Sequence, residues 1–272
     1  MPTLGCKLPL FDARDYKLNG AIVSSQVLPD KFELTDLPDI KNQWSTNSCV
    51  AHAISSILEY HTKNEVDLST QFIYGIQKKE TGHDGMGMYL RDACKIVHKY
   101  GDMTLNDCPG NQEIPKCYSP AEESLEDEEK VKTAYQFRVQ TYYGLNSIDD
   151  IKYALVNHGP VLGSLKWLKH YKCDKKTGIL SSPDDEPSGY HAIVIYGYNE
   201  IGFMCQNSWG DTWGKDGRFI IPYETPIVEA WGLIDYINED EIIVPDRKWW
   251  KDILYSAINF IVNAFLKLFK KR

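Results

Sequence analysis

Three side chains in this 272-residue sequence have the types and surroundings needed to break an acyl bond through a covalent intermediate: Cys49, His191 and Asn207. A thiol is the strongest neutral-pH nucleophile among side chains once it is ionised, and the first turn of a helix, with its unpaired N–H groups, favours the thiolate. Cys49 opens a stretch in which Val50, Ala53, Ile54, Ile57 and Leu58 recur at spacings of three and four, so an amphipathic helix is predicted over Cys49–Tyr60, capped by Asn47 or Ser48. Its thiol is therefore expected to have a depressed pKa. A leaving amine needs a proton donor, and His191, at the start of an apolar run, can supply one across a cleft. Asn207, sixteen residues further on at the end of the next run, can hold the imidazole ring without adding charge. His52 is the rival base, but three residues after Cys49 on the same helix it points along that helix.

The elements that must position these groups change character along the chain. The first forty residues, rich in Pro, Asp and Gly, read as an extended arm with at most one strand, near Gly20–Val23. Helices follow from near Ser69 through Ile76 and over Leu90–Tyr100. The acidic run 119–132 reads as a solvated loop and an exposed helix turn. Beyond it, strands are predicted at Gln136–Tyr143, Pro160–Leu165, His191–Tyr198, Gly202–Asn207 and Arg218–Ile221, with one short helix at Ile148–Asn157. Helices first and antiparallel strands second predict an α+β fold of two layers or lobes with a cleft between them.

A net charge of −8 argues against nucleic-acid binding. The opening residues lack the apolar core of a secretory signal. Seven dispersed cysteines, without a CxxC pair, fit reduced thiols and leave no structural zinc site, so a cytoplasmic protein with no metal or organic cofactor is expected. A Cys108–Cys117 disulfide is the weaker alternative.

The blocks Asn42-Gln43-Trp44-Ser45-Thr46-Asn47-Ser48-Cys49, His191-Ala192 and Asn207-Ser208-Trp209-Gly210 resemble, in order, the signatures of papain-like cysteine peptidases. The resemblance spans roughly residues 38–222. It implies a helical left lobe carrying Cys49, a sheet-rich right lobe carrying His191 and Asn207, and hydrolysis of peptide or protein substrates. It further implies that Gln43 serves the oxyanion hole, that Trp209 shields the His–Asn bond, and that Gly87, Met88 and Tyr190 line the substrate cleft, Met88 standing where a glycine usually borders the S2 subsite. Thr46 and Gly85 replace a disulfide-bonded pair of secreted members, Val50 replaces an aromatic residue, and Tyr190 replaces Asp or Asn. The arm 1–37 is too short for the long helical inhibitory propeptide of lysosomal relatives, so control of that kind is not expected. An opening like Leu10–Tyr16 and a block like Leu90–Ala93 resemble the bacterial and viral offshoot of the family. An isopeptidase or acyl-transfer enzyme, and an inactive peptide-binding homologue, stay open as alternatives.

Residues 246–272 form a third segment after the peptidase region 38–245. Seven basic and two acidic residues give this segment +5, against −13 for the rest of the chain. Trp249, Trp250, Ile253, Leu254, Ile258, Ile261, Phe265 and Phe269 share one helical face, which suits a helix lying on an anionic membrane; docking on the chain's own surface or on a partner subunit is the other reading. If the membrane reading holds, full-length protein will co-sediment with anionic liposomes and the 1–245 fragment will not; equal sedimentation excludes it.

Overall fold

The computed structural model describes residues 4–7, 15, 17, 26–81, 86–109, 126–181, 183 and 185–236. The C-terminal segment, the strand expected at Gly20–Val23, the first half of the acidic run, Gly85 and Cys117 lie outside the described residues.

Three helices open the fold: α1 (Cys49–His61), α2 (Thr70–Thr81) and α3 (Leu90–Lys99). Their inward faces follow the predicted periodicity, with Val50, Ile54, Ile57, Leu58, Phe72, Ile73, Ile76, Ala93 and Val97 all buried. Helix α4 (Glu128–Gln136) begins where Asp127 accepts hydrogen bonds from the backbone N–H groups of Glu129 and Lys130. That cap turns the end of the acidic run into a helix, and Gln136 therefore belongs to a helix rather than to the strand predicted there. Helix α5 (Ile148–His158) starts at Ser147, whose side chain accepts from Asp150 N–H.

Among the described residues, seven strands form one sheet: β1 (Phe32–Glu33), β2 (Val139–Leu145), β3 (Val161–Leu168), β4 (Pro187–Tyr198), β5 (Gly202–Gln206), β6 (Arg218–Pro222) and β7 (Ile227–Tyr236). The main path runs β2-β7-β3-β4-β5-β6 and every named pairing is antiparallel, while the short β1 adds to β4. The sheet departs from expectation in two further places. Strand β4 starts four residues before His191, because Gly189 and Tyr190 pair with Trp167 and Lys166 of β3; His191 is thus held inside a strand. Strand β7 was not expected, since its acidic residues and Gly232 interrupt the apolar pattern, yet it lies inside the sheet between β2 and β3.

Two buried apolar clusters result, one mainly between the three opening helices and one mainly across the sheet. Residue pairs such as Ala192 and Ile193, adjacent on β4, contribute to opposite clusters because successive strand residues face opposite sides. This is the α+β arrangement expected from the sequence.

Gly101, just past α3, marks a tight junction between helices. Its φ is +77°, its N–H donates to Val97 O, and a Cβ there would lie 1.8 Å from the carbonyl oxygen of Ala134 in α4. Gly101→Ala should cost about 2 kcal/mol or more of stability, seen as a lowered thermal midpoint.

Candidate active site

Cys49 is the first residue of α1, as predicted, and is wholly buried. The cap differs from expectation: Ser48 is the N-cap but makes no side-chain capping bond, and Asn47 instead donates its amide to Leu4 O at 2.5 Å. Backbone N–H groups of Ala192, Gly5 and the helix start surround the Cys49 thiol and favour its ionised form. Burial outweighs them and pushes the thiol up to about 11, so the predicted depression does not hold in this state.

His191, on β4, and Asn207, the residue after β5, come together with His191 Nε2 2.7 Å from Asn207 Oδ1. The amide oxygen can only accept, so Nε2 carries the proton and Nδ1 keeps its lone pair. Asn207 Oδ1 also accepts from Ser208 N–H at 2.8 Å, which orients the amide. His191 Nδ1 is buried without a hydrogen-bond partner. Burial lowers the imidazole pKa to about 4, although the Asn207 bond opposes this, and the ring is neutral at pH 7. Trp209 stacks on the ring at 4.4 Å, and Trp167 meets it edge-on at 5.3 Å. Sequence reasoning named Trp209 but missed Trp167, which the alternation of β3 carries to this site.

Gln43 is fully buried and fixed at both ends of its amide: Nε2 donates to Thr46 O at 2.7 Å and Oε1 accepts from Ser208 Oγ at 2.6 Å. Its backbone N–H donates to Ser208 O, and Asn42 bridges Trp209. The loop before Cys49 and the loop after β5 are thereby stitched together. Ser208, inside the Asn-Ser-Trp-Gly block but not singled out, is the side chain that does so. His52 stays out of the site, its Nδ1 lying 2.9 Å from Ser48 O one turn back on its own helix.

The remaining named residues meet an occupant absent from the sequence reading. The segment Leu4–Lys7 lies in the cleft: Cys6 N–H donates to Tyr190 O (3.2 Å), Met88 N–H donates to Gly5 O (2.8 Å), and Lys7 N–H donates to Met88 O (2.9 Å). Cys6 bridges Tyr190 antiparallel and Met88 in parallel. Met88 supplies two of these bonds with its backbone and buries its side chain completely. Gly87 turns the chain at φ +83°, its polar groups being engaged by Tyr74 Oη and Lys78 Nζ. Gly5 has no room for a side chain: a Cβ would lie 1.9 Å from Asn47 O. No sequence signal marked this segment, since a short glycine-containing stretch has no periodicity to read.

Comparison with known proteins agrees with this geometry. The family description "Papain family cysteine protease" matches residues 28–227. The chain is 26% identical to an uncharacterised peptidase C1-like protein of Acanthamoeba polyphaga mimivirus, over 82% of this chain and 76% of that one. Its fold is similar to that of xylellain, a cysteine protease from Xylella fastidiosa, with TM-score 0.69, 24% identity, and 86% and 96% of the two chains covered. It is also similar to a Carica candamarcensis cysteine protease solved in complex with E-64, with TM-score 0.57, 16% identity, and coverage of 77% and 100%. The chain belongs to the papain family of cysteine proteases and is a cysteine peptidase.

Proposed function

We propose that Cys49, His191, Asn207 and Gln43 hydrolyse peptide bonds through a thioester intermediate. The observation that carries this reading is the His191–Asn207 bond, which leaves an unprotonated Nδ1 buried beside the strand whose next residue, Ala192, touches the Cys49 thiol. Nδ1 takes the thiol proton, and the thiolate attacks the substrate carbonyl. The resulting oxyanion is met by Cys49 N–H and by the Gln43 amide, which Thr46 and Ser208 fix in place. The imidazolium returns its proton to the leaving amine; water, deprotonated by the same nitrogen, then releases the acid and regenerates the thiol. Trp209 and Trp167 exclude water from the His191–Asn207 bond, keeping it strong in a low dielectric.

The segment Leu4–Lys7 must leave before substrate enters, because it uses the backbone groups of Met88 and Tyr190 that an extended substrate would use. While it stays, the neutral thiol and neutral imidazole are the favoured pair. Its departure admits water and favours the ion pair.

A broad peptide mixture incubated with full-length protein under reducing conditions should be cut, and Cys49→Ala should lower turnover by about a thousandfold or more. Cuts that persist in Cys49→Ala would remove the thiol from the mechanism. If neither protein cuts while E-64 still labels Cys49, another acyl substrate is indicated; no labelling points to a binder without activity.

Gly5→Ala, which cannot seat against Asn47, should release the segment. In wild type, Cys49 alkylation should climb with pH toward about 11, because only the thiolate reacts. In Gly5→Ala the climb should begin at lower pH, and E-64 labelling at neutral pH should be roughly tenfold faster. Identical profiles would show that the segment does not cover the thiol in solution.

A further inference from the structure

Cys6 marks a side-chain pocket one residue away from the reactive thiol. Gly5 lies against Cys49, and the next residue, Cys6, has its backbone bracketed by Met88 and Tyr190. The Cys6 side chain is buried, hydrogen-bonds with Ser164 of β3 and lies within electrostatic reach of Glu229 of β7. Ser164 and Glu229 are paired across the two strands, so they form one stretch of pocket floor.

Glu229 is unusual in this setting. Its Oε1 accepts from Trp231 Nε1 at 2.6 Å, whereas Oε2 is buried with no hydrogen-bond partner. A cation that it senses, Arg91, is engaged with Asp15 at 3.1 Å, and Asp92 adds a further negative charge. A buried carboxylate oxygen without a partner is costly, and the cost is recovered when a cationic donor arrives. A lysine or arginine side chain supplies both the charge and the N–H groups that Oε2 lacks.

We propose that Glu229 makes the pocket now filled by Cys6 a subsite for a cationic side chain, Lys or Arg, on the second substrate residue before the scissile bond. This inference rests on the peptidase reading and names its substrate class. The carboxylate acts on binding rather than on the reacting atoms, so its removal changes which peptides are cut, not whether they are cut.

The test is the cleavage profile of a peptide library by the full-length chain as wild type, Gly5→Ala, Glu229→Gln and Glu229→Asp, with sites read by mass spectrometry. Lys and Arg should be enriched at the second position before the cut in wild type and Gly5→Ala. Glu229→Gln, whose amide oxygen can still accept from Trp231, should lower kcat/KM for basic over leucine peptides by roughly tenfold or more while leucine peptides are still cut. Glu229→Asp, which keeps the charge, should retain part of the preference. Wild-type and Gly5→Ala cuts without enrichment of Lys or Arg would overturn the role of Glu229 and leave the peptidase reading intact, independently of how the variants fold. Absence of cuts by both wild type and Gly5→Ala would overturn the peptidase reading and this inference with it.

Discussion

The chemistry proposed for this site depends on one hydrogen bond, His191 Nε2 to Asn207 Oδ1 at 2.7 Å. Because an amide oxygen only accepts, the bond selects the imidazole tautomer and leaves a lone pair on Nδ1. The sheet exists, from the standpoint of the site, to make that bond. Antiparallel pairing of β4 with β5 carries His191 and Asn207 to neighbouring positions despite a separation of sixteen residues in sequence, and the same pairing with β3 brings Trp167 against the ring. A neutral partner is the appropriate choice here: a carboxylate in place of Asn207 would place an uncompensated charge where burial disfavours ionisation.

Burial sets the balance between the two protonation states of the thiol–imidazole pair. Backbone donors of the helix start, Ala192 and Gly5 favour the thiolate, but desolvation by burial is larger and acts on both partners in the direction of neutrality. The contacts that hold the segment include four backbone-directed hydrogen bonds, through Cys6, Lys7, Met88 and Asn47, together with the close seating of Gly5, the Cys6–Ser164 bond and the Lys7 ammonium over the Tyr89 ring. Bonds of this kind are worth about 1 kcal/mol each, so exchange with a substrate strand that makes the same bonds is thermodynamically accessible. Steric fit at Gly5 and at Gly87 gives the segment its register.

Much of this was legible in the sequence because local pattern and chemistry coincide. The apolar stripe after Cys49 fixes a helix and with it the position of the thiol, and the run after His191 fixes a strand. What escaped was set by tertiary contact. Asp127 turned the end of an acidic run into a helix through a cap whose geometry composition does not reveal. Strand β7 hid behind Glu229, Asp235 and Gly232, yet it is Glu229 that gives the cleft floor its charge. The helix position of Cys49 pointed to a depressed pKa, and burial of the thiol, which periodicity does not reveal, reversed the sign. Ser208 and Trp167 lacked any signal of their own, because their importance lies in contacts with Gln43 and His191 across the fold.

The central claim is that acyl transfer passes through the Cys49 sulfur. It is tested most directly by mixing full-length wild-type and Gly5→Ala protein with a slowly deacylating peptide ester, quenching in acid and locating the adduct by intact and fragment mass. An acyl group on Cys49, accumulating faster in Gly5→Ala, is the expected result; ester hydrolysis with no adduct on Cys49, or with the acyl group on another residue, would contradict it.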